Sequence, residues 1–177
     1  MMERNPSPGL LLSFIPVAYC SYLFHELGHW TVGELLGNTM TYSLNWVTPA
    51  SGHYIGAHDA LYSSMGGPAF TILQAAIFLA VIEKYKTVYA YPFVFFAFFA
   101  RFFSLVFGGF AKQDEANIST LLNIGSYTVA AIVLLVLFLI VWRCSYKLKF
   151  GLRSNGIFFA ASTVAELLVI GSYTIFS

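Results

Sequence analysis

The chemistry of this chain is concentrated in His25-Glu26-Leu27-Gly28-His29, an H-E-x-x-H pattern. On a helix, residues four apart stand one above the other on one face, so both imidazoles can reach a single metal ion. Glu26 lies about 100° round the helix from His25, beside the place where such an ion would polarise a water. Two nitrogen ligands, a carboxylate base and a third ligand still to be found make the donor set of a zinc hydrolase. The setting sharpens the reading. The pattern closes an apolar run from Leu10 to Phe24, and ionisable groups inside a membrane span are expensive and mark function. The competing reading is a set of polar residues that satisfy one another inside a bundle; the rarity of such groups in a span favours the metal.

The elements that must hold this pattern are membrane helices. Of 177 residues, 58% are hydrophobic, 18% aromatic and only 10% charged, a balance that points to a polytopic membrane protein embedded in a lipid bilayer. A net charge of +1 and the lack of a basic stripe give no footing for nucleic acid. Cys20 and Cys144 form neither a C-x-x-C pair nor a disulfide framework. The apolar run from Gly9 has no small-residue cleavage site and carries the motif, so it is expected to remain as a mature span.

The hydropathy pattern predicts an all-α fold of five transmembrane helices, over about 10–36, 60–82, 88–110, 121–142 and 155–176. The chain reads as a single integral membrane domain, 1–177, with no repeat. Residues 39–58 hold no spanning run, and the alternation in Thr41–Val47 predicts a short interfacial strand or hairpin. Five spans place the N-terminus and the loops at 83–87 and 143–154 on one side. That side carries Arg4, Lys84, Lys86, Arg143, Lys147, Lys149 and Arg153, and the other only Lys112. The positive-inside rule then sets the N-terminus in the cytoplasm and the histidines in the outer half of the membrane.

A catalytic zinc site has three protein ligands and one open position. The candidates for the third are His53, His58, Asp59, Asp114, Glu115 and Glu166. Asp114 is favoured, in a loop ahead of the fourth helix on the side towards which His25 and His29 lie, where a helix N-terminus favours a carboxylate. Its other reading is an N-cap for that helix. Glu115 is the fallback ligand, or a group that orients an imidazole. His25 lies roughly 15 Å below the outer end of its helix at 1.5 Å per residue, so Asp114 must enter the bundle. His53 and His58 read first as solvated loop residues. Arg101 and Glu166 fall at similar depth and read as a buried ion pair; Arg101 could instead stabilise a developing oxyanion in the cavity. Gly66-Gly67-Pro68 reads as a packing notch or kink, and the aromatic run Phe93–Phe103 as lipid-facing and packing surface.

With these residues in view, the chain resembles the site-2 protease family of intramembrane zinc metalloproteases. The resemblance spans about residues 10–125, a metalloprotease-like core followed by two C-terminal helices over about 121–176. It rests on His25-Glu26-Leu27-Gly28-His29 in an early span, Gly67-Pro68 in the next and Asp114 ahead of a later one. Thr71 stands where the family's Gly-Pro motif usually continues to asparagine. The resemblance implies that His25, His29 and Asp114 bind Zn2+ and that Glu26 activates the water that attacks a peptide bond. The substrate it implies is a membrane protein whose single span unwinds into the cavity, pairing with the strand-like 39–47 stretch. Two other functions compete. A non-catalytic scaffold or chaperone of the same fold would have no need of Glu26. A metal transporter fits poorly with five spans, no repeat and one metal cluster.

Overall fold

A computed structural model describes residues 4–107 and 113–176 of the chain. It is an all-α bundle with a single two-stranded sheet. Five helices are long and apolar enough to cross a membrane: Pro8–Leu35, Asp59–Tyr85, Val88–Phe107, Thr128–Leu148 and, within the described side chains, Leu152–Tyr173. The chain is a multi-pass membrane protein.

The first span is two helices end to end, α1 (Pro8–Leu12) and α2 (Phe14–Leu35). Pro16 has no N–H to offer the carbonyl of Leu12 one turn back, and the helix is interrupted at that point. After α2 the chain turns through Gly37, at φ 88°, into the antiparallel pair β1 (Met40–Tyr42) and β2 (Val47–Pro49). Thr41 faces Thr48 across the ladder. The hairpin is fastened to the helices at both ends. Met40 fills the space left by Gly33, where an added Cβ would lie 2.6 Å from its sulfur. Asn38 donates to Asp59 Oδ2 at 2.9 Å and accepts from the Ile55 amide at 2.9 Å.

The second span is α3 (Asp59–Tyr85), with Pro68 inside it. One turn of 3₁₀ helix at Val88–Ala90 leads into α4 (Tyr91–Phe107). The expected fourth helix over 121–142 is divided in two. A short helix α5 (Asp114–Leu122) stops at Asn123, which is left-handed at φ 53°. The span proper, α6 (Thr128–Leu148), begins beyond Gly125. The last helix, α7 (Leu152–Phe176), closes the bundle.

The aromatic run of α4 is core more than lipid face. Phe95, Phe96 and Phe99 are buried, and Phe14 of α2 stacks on Phe158 of α7 with centroids 5.6 Å apart. Tyr91 packs into the same cluster, and its hydroxyl donates to Asn155 Oδ1 at 2.5 Å. This cluster locks α2, α4 and α7 together below the histidines. The end of the bundle opposite the hairpin is tied by Glu83, which meets Arg143 and Lys147 at 2.7 Å each. There the Arg4 amide also donates to the Lys149 carbonyl at 2.9 Å. The N-terminal segment and the 83–87 and 143–154 connections thus share one end, as the span count requires.

Candidate metal centre

The centre forms where α2 crosses α3, and glycines make that crossing possible. A Cβ on Gly28 would run into the Gly66 carbonyl, and a Cβ on Gly66 into the Gly28 carbonyl. Without side chains the two backbones touch. Gly67 lies one residue further on, directly under the imidazoles. A Cβ there would overlap His29 Nε2 and stand 2.5 Å from His25 Nε2. The notch read from the sequence is therefore the floor of the site.

This approach places a hydrogen-bond partner of α3 behind each ring. His29 Nδ1 donates to the Ser63 carbonyl at 2.7 Å, an atom that can only accept. His25 Nδ1 meets Thr71 Oγ1 at 2.8 Å, and that hydroxyl donates its one proton to the Gly67 carbonyl at 3.1 Å. Thr71 therefore accepts from His25. Both neutral rings carry their proton on Nδ1, and both Nε2 lone pairs point into the centre.

Asp114, the first residue of α5, completes it. Its Oδ2 lies 3.0 Å from His25 Nε2 and 3.4 Å from His29 Nε2, and the two nitrogens are 3.2 Å apart. With the Nδ1 protons so placed, two Nε2 lone pairs and a carboxylate oxygen converge, a donor set that could hold a cation. Two ligands at roughly 2.0–2.1 Å from one tetrahedral ion stand roughly 3.3 Å from each other. The triangle fits. The Asp114 carboxyl lies against both imidazoles and would add an anionic ligand to their two neutral ones. Its side chain keeps 28% exposure against 8% and 10% for the histidines, so the centre opens on the α5 side.

Glu26 is buried beside the centre, in the field of His29, Asp114 and Arg101. Among the described residues its carboxylate makes no hydrogen bond, so both oxygens are free to take a proton. Tyr42 of the hairpin donates to the Leu23 carbonyl at 2.5 Å. Burial, then the charge of Glu26, pushes its hydroxyl up.

The other sequence candidates are sorted by geometry. Asp114 is not an N-cap: Gln113 holds that position, and Asp114 is already helical. Glu115 is buried next to it but faces Arg101, 3.7 Å away. The expected Arg101–Glu166 pair does not form. Arg101 turns to Asp114 at 3.5 Å, and Glu166 instead accepts from the Tyr22 hydroxyl at 2.5 Å. His53 is exposed and bonds the Ser51 carbonyl at 3.0 Å. His58 is exposed at the start of α3, and Asp59 is occupied by Asn38 and the Gly56 amide. Behind His25 lies a cavity of about 10 Å³ lined by Ser21, Tyr22, Thr71, Gln74 and Arg101, room for roughly one water.

Ser63 and Thr71 were missed as functional residues. Ser63 acts through its backbone, which leaves no mark in a sequence. Thr71 had a signal, since it follows Gly67 by one helical turn.

Fold and centre together define a multi-pass helical membrane protein with a buried His25–His29–Asp114 group able to hold a metal ion. Comparisons with protein-family models, curated proteins and solved structures find no match to this chain.

Proposed function

We propose that this protein is an intramembrane zinc metalloprotease, of the kind that its motifs resemble in the site-2 protease family. One observation carries the reading: two imidazole nitrogens and a carboxylate oxygen converge within 4.8 Å of one another, with the carboxylate of Glu26 buried alongside. Charge supports a divalent ion. Among the described residues Arg101 is the one arginine or lysine beside Asp114 and Glu115, and a divalent ion would add positive charge to a group of buried carboxylates. Two imidazoles, one carboxylate and a tetrahedral spacing suit zinc.

Zinc in such a site supplies Lewis acidity, bringing the pKa of water down to roughly 7. The protein's own residues do the rest. His25, His29 and Asp114 hold the ion, and Ser63 and Thr71 fix the rings so that their lone pairs face it. Glu26 takes the proton of the attacking water and delivers it to the leaving amine. The substrate is a membrane protein whose span unwinds beside the hairpin of residues 40–49. The basic end of the bundle faces the cytoplasm by the positive-inside rule, which puts the centre in the outer half.

The test is metal analysis of the detergent-purified protein, together with cleavage of a single-span reporter in proteoliposomes. About one zinc per chain is expected. Glu26→Gln should keep that zinc and lose cleavage by at least about 100-fold, the lower end for a general base. Cleavage at the wild-type rate in that variant sinks the mechanism.

A further inference from the structure

One buried charge has no part in the mechanism so far. Arg101 projects from α4 into the bundle, with its side chain 13% exposed, yet it does not pair with Glu166 at its own depth. Its Nη1 reaches upward to α5, 3.5 Å from Asp114 Oδ2 and 3.7 Å from Glu115 Oε1. Its Nε is buried without a hydrogen-bond partner, as is Glu115 Oε1. Arg101 also lines the single-water cavity behind His25, together with Tyr22, Thr71 and Gln74.

The problem it solves is specific. Asp114 and Glu115 are adjacent in sequence, both open α5, and either could reach for a cation. Among the described residues no lysine or other arginine contacts these two carboxylates, and α5 is otherwise tied to α3 further along, where Asn117 donates to Ser64 Oγ at 2.8 Å. We infer that Arg101 is the positioning residue of the metal centre: it holds the first turn of α5 so that Asp114, and not Glu115, faces the two imidazoles. Glu115, 2% exposed, is kept back as the counter-charge to the guanidinium. Arginine suits this task because its planar fork can face two carboxylates at once, which a lysine ammonium on a flexible stem does not do in fixed geometry.

The inference rests on the metal reading above, and the experiment separates the two. Zinc affinity is measured by chelator competition on the full detergent-solubilised chain for wild type, Arg101→Gln, Arg101→Lys and Glu166→Gln. Thermal unfolding without zinc monitors the fold. Loss of a partner to a metal ligand lowers affinity roughly 10- to 100-fold, and Arg101→Gln should fall in that range. Arg101→Lys should be weaker than wild type by about 10-fold, since it keeps the charge and loses the fork. Glu166→Gln, a buried acid on α7 outside the centre, should bind zinc as wild type does. Cobalt bound to Arg101→Lys should show a shifted visible spectrum, the mark of a changed ligand arrangement and not of lowered stability. Wild-type affinity and an unchanged cobalt spectrum in Arg101→Lys overturn the inference, even if Arg101→Gln fails to fold. Equal weakening in Glu166→Gln also overturns it, since any buried charge would then do. A wild-type protein that binds no zinc ends the metal reading itself.

Discussion

Substituting Gly67 by alanine asks whether the floor of the site is as close to the imidazoles as the structure places it. The new Cβ would stand 2.5 Å from His25 Nε2 and closer still to His29 Nε2. A carbon and a ring nitrogen come to rest at roughly 3.5 Å, so the His25 ring must recede by about 1 Å. That is close to half the roughly 2.0 Å of a zinc–nitrogen bond. Neither ring is free to recede, because Thr71 and the Ser63 carbonyl hold their far sides. Zinc affinity should therefore fall by at least about 100-fold, the upper end of what losing one outer partner costs. The metal-free fold should change much less. Overpacking costs roughly 1–3 kcal/mol, offset by roughly 0.5–1 kcal/mol from replacing glycine within a helix. The assay is zinc affinity by chelator competition, beside thermal unfolding of the zinc-free protein. Gly28→Ala provides the contrast, since its Cβ meets the Gly66 backbone, which cannot move aside. It should lower the unfolding temperature as well as the zinc content. A Gly67→Ala protein that binds zinc as wild type does would refute the reasoning.

Three further substitutions probe the supports. Thr71→Val removes the acceptor behind His25, and zinc affinity should drop about 10-fold or more while the fold persists; chelator competition reads it. Tyr22→Phe leaves Glu166 buried without its hydroxyl partner, which should cost about 1–3 kcal/mol in denaturant unfolding, with zinc affinity unchanged. Asn38→Ala severs the Asp59 side chain and the Ile55 amide from their common partner. Proteolysis within residues 50–58 should then become faster at limiting protease, and an unchanged digestion pattern would show that Asn38 does not anchor the loop.

The histidines and the spans were legible because each is a local pattern. The spacing of His25 and His29 reports one helix face, and five apolar runs report five crossings. Asp114 was legible by type and by side, but not as the start of a separate helix, because the apolar run was carried back to Leu121 across Asn123-Ile124-Gly125-Ser126, an Asn/Gly break that ends α5. The Arg101–Glu166 pairing was argued from depth alone. It failed because depth does not give azimuth: Arg101 faces α5, while Glu166 faces Tyr22 on α2. The α4 phenylalanines were read as lipid-facing and packing surface without saying which were which, since a run that is apolar all round has no polar face to show which side is buried; Phe95, Phe96 and Phe99 are the packed ones. The hairpin was expected at the right place, although the stretch Thr41–Val47 read as alternating holds its turn, with the strands Met40–Tyr42 and Val47–Pro49 on either side.

The third ligand comes from far along the chain, 89 residues after His25. The centre therefore has an order of assembly. While the first two spans are being inserted, the two imidazoles already share a face but have no carboxylate to complete them. Only when α4 has been laid across α2 and α3, and α5 has folded back over the crossing, does the three-ligand pocket exist. A nascent chain halted before residue 114 carries the motif without the three-residue group. The group is thus withheld until the bundle is built, by topology alone.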